Sequence, residues 1–425
     1  MKTKAVRLYG INDLRLDEFD LPEIKEDEIL AKVVSDSICM SSHKLAVQGA
    51  CHKRVRHDLS KQQPIIGHEF CGIIEKVGSK WADQFKAGEK FAIQPALNYP
   101  DENGAASLWA PGYSFEYTGG DATYIIISKE VMEMNCLLEF KADYFYIGSL
   151  AEPVSCVVGA FHAQYHTTGG SYIHSMGIAE GGSLALLAGA GPMGLCAIDY
   201  AVHNPRKPGL LVVTDIDDKR LERAALLIPP EEAEKNGVKL VYVNTKDISD
   251  PTEHLQKINR GRLYDDVFVF VPVTSVLEMG DSLLGHDGCL NFFAGPTYKT
   301  FSASVNFYNV HYDSRHIVGT SGGNTDDMKE SLDMMAAEAI KPVFMITHIG
   351  GLDSCAKTTI NLDKIPGGKK LIYTHKKMEL TAIDDFAEKG KKDTFFARLA
   401  EICADHRGLW NPEAEKYLLD NAEEI

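Results

Sequence analysis

The sequence has no CxxC pair, no excess of basic charge, and no apolar run of the ~18 residues that a membrane-spanning helix takes. Each absence excludes something. The nine cysteines stand apart, at 39, 51, 71, 136, 156, 196, 289, 355 and 403. Such scatter argues against a disulfide framework and reads as reduced, cytoplasmic thiols, most of them small buried hydrophobes. Without a long apolar run, no membrane partner is expected. Residues 1–8 have the pattern of a short strand and not of a signal peptide. Lys and Arg number 44 against 60 Asp and Glu, a formal charge of −16. A nucleic-acid partner is therefore not expected, because it needs a basic face. The chain also lacks internal repeats and low-complexity tracts.

What is present is ample apolar content, 44% of 425 residues. That suffices for a large core and, at roughly 150 residues per domain, for two domains. Apolar runs at 6–8, 29–34, 69–77, 90–94 and 122–127, parted by turn signals, predict a β-barrel-like domain over residues 1–155. The character changes near Ala151. A helix is predicted over 154–162. Continuous apolar strands at 183–188, 210–214, 238–243, 266–271 and 288–294 then alternate with helical segments. Alternation of this kind implies βαβ units, and strands without polar alternation fit a parallel sheet covered on both faces. Runs at 342–348 and 369–373 are expected to rejoin the first domain. After His375 the sequence turns helical, with Asn411-Pro412 as a cap and first helical residue. The expected fold is α/β: a discontinuous barrel-type domain from residues 1–155 and 341–425, and a doubly wound parallel-sheet domain from 156–340.

Gly189-Ala190-Gly191-Pro192-Met193-Gly194 fits G-x-G-x-x-G between a buried strand and a helix, and Asp215 ends the next strand. In that context the first glycine makes the tight turn. The second lets backbone approach a pyrophosphate, and the third lets helix and strand pack closely. The helix N-terminus offers free N–H groups to the phosphates. Asp215 can accept hydrogen bonds from the adenosine ribose and would repel a 2′-phosphate, so NAD(H) is expected over NADP(H). Arg220 lies near enough in sequence to stack on adenine or to leave some NADP(H) use open. The bland alternative is a purely structural glycine turn.

The first domain holds Cys39 in SICMSSHK, His68-Glu69 in IIGHEF and Glu152 in LAEPVSC. Thiolate, imidazole and carboxylate suit zinc, and three protein ligands leave a position open. Each also has an ordinary explanation: a core thiol, a solvated histidine, and a glutamate capping a helix with Pro153 at its first position.

GHEF some 30 residues after a strand-end cysteine, then AEP, then GxGxxG, resembles the zinc-dependent medium-chain alcohol dehydrogenase family over about residues 1–375. The likeness is greatest to the polyol branch that includes sorbitol dehydrogenase. It implies a GroES-like catalytic domain, a Rossmann domain, and a catalytic Zn2+ on Cys39, His68 and either Glu69 or Glu152. It also implies hydride exchange between a nicotinamide and an alcohol or ketone carbon, with Ser41 relaying the proton. The chain departs from the family after Cys39, where Met40-Ser41-Ser42-His43-Lys44 puts Ser42 in an aspartate's place. His43 or Lys44 is left to end the relay. The lobe of four cysteines that holds a structural zinc is missing, so one zinc per chain is expected. The likeness further implies a homodimer or homotetramer, joined through an edge strand near 288–300.

Residues 48–63, QGACHKRVRHDLSKQQ, form a basic loop in an acidic chain. Lys53, Arg54 and Arg56 would suit a substrate phosphate through charge-assisted hydrogen bonds, or could be a solvated surface. The loop, AEPVSC and the extension past 375 resemble a subgroup, the L-sorbose 1-phosphate reductases. That implies interconversion of a ketose 1-phosphate with D-glucitol 6-phosphate. Two other readings compete: a dehydrogenase of unphosphorylated polyols or of threonine-like alcohols, and a zinc-free nucleotide-binding redox sensor.

Overall fold

A computed structural model describes residues 1–169 and 171–425 of the chain. The chain forms two compact units. One comprises Met1–Pro153, Asn324–Ala336 and Met345–Ile425, and the other Val154–Gly323 and Ala337–Phe344.

The first unit is built on an eight-stranded sheet around the strand Ile29–Ile38. This strand pairs antiparallel with Phe70–Val77, with Lys369–Tyr373 and, at its start, with Tyr124–Ile127. Three partners for one strand make the sheet curl, as the barrel-type expectation requires. Register does the rest. Asp36 lies opposite Phe70, and Lys370 opposite Ile38. Cys39, His68-Glu69 and Lys369 therefore leave three neighbouring strand ends together. Val33, Phe70, Ile74, Phe91 and Ile125 form one buried cluster, and Val6, Leu8, Ile38, Leu45, Tyr113 and Ile372 another.

The second unit holds six parallel strands. Their spatial order is Lys239–Asn244, Leu210–Asp215, Ser183–Leu187, Tyr264–Val269, Leu284–Phe292 and His316–Gly319. Numbered along the chain this is 3-2-1-4-5-6, the dinucleotide-binding order. The doubly wound sheet and the barrel-type unit are both as expected. Among the described residues no helix is long and apolar enough to cross a membrane.

Three expectations are corrected. The helix expected at 154–162 is Tyr146–Ala163, with Pro153 inside it. Glu152 is thus a helix-interior residue, not a cap. Proline rules favour a start at 153, but the first turn is held from elsewhere: the Phe145 and Tyr146 N–H groups donate to the Glu415 carboxylate at 2.6 and 2.9 Å. The run 342–348 is a short 3-10 turn, Pro342–Met345, followed by the strand Ile346–Gly351. The strand at 288–294 is not an edge. Leu284–Phe292 is flanked on both sides, and the edge on that side of the sheet is His316–Gly319. That strand spans four residues with no buried side chain, so it has no apolar run to betray it. The Asn411 cap is as expected, its side chain accepting from the Ala414 N–H at 3.0 Å.

Candidate functional site

In the second unit the strand Ser183–Leu187 runs into the glycine turn, and the helix Pro192–His203 leaves it with Pro192 in its first turn. A Cβ on Gly194 would sit 1.9 Å from the Gly189 carbonyl oxygen, so only glycine allows this closeness of helix and turn. A Cβ on Gly191 would meet nothing within 4 Å. Backbone is therefore open to a ligand there, and no side chain caps the helix N-terminus. Asp215 is 4% exposed. Its Oδ1 accepts from the Ile216 and Asp217 N–H groups at 2.8 and 3.2 Å, while its buried Oδ2 has no partner. An orphaned acceptor at this strand end fits a ribose hydroxyl. The Arg220 side chain is exposed and lies toward Asp217, Nε to Oδ2 3.9 Å, not Asp215.

In the first unit Cys39 stands immediately before the helix Met40–Gln48. Among the described residues, Cys39, His68 and Glu69 form the group of three whose ligand atoms all lie within 4.8 Å of one another. The Ser41 hydroxyl donates to Cys39 Sγ at 3.0 Å and lies 3.2 Å from His68 Nε2. Ser42, in the aspartate's place, sets its hydroxyl 3.3 Å from His68 Nδ1. A proton on Nδ1 directed at Ser42 leaves Nε2 as the lone-pair nitrogen facing the cluster. Burial pushes His68 down to about 4, so it is neutral near pH 7. Burial, with the Glu69 and Glu152 charges, pushes the Cys39 thiol up to about 12. A divalent cation is the partner that would turn this thiol into a thiolate. The donor set fits zinc.

Glu69 is buried and held hard. Lys369 donates to both of its carboxylate oxygens at 2.5 Å, and the Ser37 hydroxyl donates to Oε2. Burial alone would raise this carboxyl, but Lys369, His68 and Ser37 outweigh it and keep it below its ordinary value. Glu152 is 8% exposed and lies outside the group of three. Its charge is still close enough to raise Cys39 and to help hold the Lys369 ammonium.

Tyr113 escaped the sequence reading. Its hydroxyl lies 3.3 Å from His68 Nε2, and its ring stacks on His52 at 5.5 Å. It comes from an aperiodic loop whose sequence carries no motif. Lys369 also escaped, because nothing local marks a strand-end lysine as the partner of Glu69. The basic loop divides. The Arg54 guanidinium lies over the Tyr113 ring, 4.9 Å from its centre, and burial, joined by the Arg54, Lys53 and Lys44 charges, pushes His52 down to about 4. Arg56 instead lies 3.3 Å over the Trp109 ring, and Lys53 is exposed.

With this geometry in view, the likenesses are informative. Residues 25–135 match the alcohol dehydrogenase GroES-like domain, and residues 192–337 match the zinc-binding dehydrogenase domain. Mannitol-1-phosphate 5-dehydrogenase of Aliivibrio fischeri is 52% identical over 419 residues, 99% of this chain and 98% of that protein. L-sorbose 1-phosphate reductase of Klebsiella pneumoniae is 48% identical over 423 residues, 100% of this chain and 98% of that one. The crystal structure of 2R,3R-butanediol dehydrogenase from Bacillus subtilis shares the fold. Its TM-score is 0.66 at 20% identity, over 87% of this chain and 99% of that one. The chain belongs to the zinc-dependent medium-chain alcohol and polyol dehydrogenase family.

Proposed function

We propose that this dehydrogenase interconverts a ketose phosphate and a hexitol phosphate with NAD(H), and that L-sorbose 1-phosphate and D-glucitol 6-phosphate are its pair. One observation carries the phosphate. Arg54 rests on the ring of Tyr113, whose hydroxyl touches the candidate ligand His68. A guanidinium placed there offers two N–H groups to a phosphate beside the reacting end of the substrate. Lys53 adds charge to the same side, and Arg56, engaged by Trp109, contributes less.

One zinc is held by Cys39, His68 and a glutamate. We assign Glu152 to that role, because Glu69 is already gripped by Lys369 and Ser37. When bound, zinc supplies a Lewis acid for the substrate oxygen and the nicotinamide carries the hydride. The remaining steps belong to the chain. Ser41 Oγ, beside Cys39 and His68, accepts the proton of the substrate hydroxyl during oxidation as it passes its own proton on toward solvent, and the two transfers reverse during reduction. Ser42 fixes the His68 ring. Tyr113 and His52 wall the site with a stacked pair and limit water. Asp215 Oδ2 takes the ribose hydroxyl and disfavours a 2′-phosphate, so NAD(H) is preferred. A homodimer or homotetramer is part of this reading, with the open edge His316–Gly319 as the joining strand; light scattering of the purified chain tests it.

The test of function is a substrate panel with NADH: L-sorbose 1-phosphate against L-sorbose and fructose, and D-glucitol 6-phosphate with NAD+ in reverse. Equal rates with and without phosphate would sink the phosphate reading. D-mannitol 1-phosphate belongs in the panel, since the relative named for it is as similar as any reported above. A preference for it would move the assignment to that hexitol.

A further inference from the structure

The C-terminal helix Pro412–Asn421 carries a buried carboxylate that neither the cofactor turn nor the metal cluster uses. Glu415 is 1% exposed. Its Oε2 accepts from the Phe145 N–H at 2.6 Å, and its Oε1 accepts from the Tyr146 N–H at 2.9 Å and the Tyr373 hydroxyl at 2.8 Å. Phe145 and Tyr146 open the helix Tyr146–Ala163. Glu415 therefore does from the far end of the chain what a cap residue does locally, and its charge meets the positive end of the helix dipole. Glu152 lies further along this helix, about 9 Å from Tyr146 at 1.5 Å per residue.

The second bond leads to the other glutamate. Tyr373 ends the strand Lys369–Tyr373, and Lys369, at its start, grips Glu69. Trp410 Nε1–H donates to the same Tyr373 hydroxyl at 2.8 Å. The Cys71 thiol, on the strand that follows Glu69, donates to the Phe145 carbonyl at 3.0 Å. Burial pushes the Glu415 carboxyl up to about 7 even against three donors. A neutral side chain would fill the space at lower cost to stability, so the acid is explained better by what it holds than by packing.

We propose that Glu415 is a positioning residue for the metal centre: from the C-terminal helix it sets the placement of Glu152 through the helix start and that of Glu69 through Tyr373 and Lys369. This rests on the reading of Cys39, His68 and a glutamate as zinc ligands.

The experiment uses the full chain loaded with zinc and measures zinc affinity by chelator competition, steady-state kinetics and thermal unfolding. Glu415→Gln is expected to hold zinc about 10-fold more weakly and to lower kcat about 10-fold, with KM for NADH unchanged. Tyr373→Phe, which removes only the hydroxyl, is expected to show a smaller loss of the same sign. Leu418→Ala removes a buried apolar contact on the same helix. It is expected to lower the unfolding temperature while leaving zinc affinity and kcat within about twofold of native. Zinc affinity and kcat of Glu415→Gln within about twofold of native would overturn the proposal, as would an equal loss in Leu418→Ala. Should Glu415→Gln not fold, Tyr373→Phe decides by the same criteria. A native chain that holds no zinc refutes the metal reading itself. A zinc-holding native chain matched by its variants refutes only the role of Glu415.

Discussion

Removing Lys369 leaves a buried carboxylate without its cation, and the cost can be worked out. The Lys369 and Glu69 side chains are 8% and 1% exposed, with the ammonium 2.5 Å from both carboxylate oxygens. Besides Lys369, the Glu69 carboxylate accepts from the Ser37 hydroxyl, and burial keeps the neighbouring His68 uncharged near pH 7. Breaking such a pair from one side costs about 3–5 kcal/mol, because the surviving charge stays buried. Lys369→Met keeps the reach of the side chain and loses the charge, so it is expected to fall in that range. Glu69→Gln takes away the ammonium's hydrogen-bonded partner but leaves it the Glu152 charge, so it is expected to fall at the lower end of that range, about 3 kcal/mol. With both charges gone, Lys369→Met/Glu69→Gln is expected to cost about 1 kcal/mol, giving a favourable coupling of at least about 5 kcal/mol. Urea unfolding after chelation gives these values without a metal's binding energy mixed in. All three tryptophans, Trp81, Trp109 and Trp410, lie in the first unit. Tryptophan fluorescence therefore follows this unit even where the two units unfold separately. Effects that add to within about 0.5 kcal/mol would refute the argument. The pH dependence gives a second check. Glu69 is held below its ordinary 4.5, so the pair's contribution is complete above that pH and fades as pH falls below it. Lys369→Met should flatten this acid limb.

Other consequences follow from single contacts. Arg54→Ala should raise KM for a sugar phosphate by about 10- to 100-fold and leave the unphosphorylated sugar unchanged, with Arg56→Ala the weaker of the two in steady-state assays. Gly194→Ala places a Cβ 1.9 Å from a backbone oxygen. It should weaken NADH binding by at least about 10-fold in a fluorescence titration. Asp215→Ser removes the orphaned oxygen and should lower NADH affinity by about 10-fold while narrowing the gap to NADPH. For Glu415 the sign is opposite to that of Glu69. Burial raises its carboxyl from 4.5 to about 7, so the native chain binds the extra proton in this window and loses stability as pH rises through it. The decline is at most about 3 kcal/mol by 1.36 kcal/mol per unit, and Glu415→Gln should abolish it in urea melts run across that window.

The two-unit architecture was legible in the sequence because its signals are local. Ser183–Leu187, Leu210–Asp215 and Lys369–Tyr373 are continuous apolar or β-rich runs, and their observed bounds fall within a residue or two of the apolar runs. The glycine turn is local too, and so are Cys39 and His68-Glu69, each beside a strand end. His316–Gly319 was not legible, since a short edge strand buries too little to leave a pattern. The start of the helix at Tyr146 was hidden for another reason. Its donors are satisfied by Glu415, at the other end of the chain, and a rule that looks for caps next door finds only Pro153. Tyr113 and Lys369 share that remoteness. The groups that do the chemistry thus sit in short motifs, while those that hold them arrive from distant segments through register and packing. A substitution that spares every motif can still disturb the reaction, and Lys369, Tyr373 and Glu415 are where the bonds say it will.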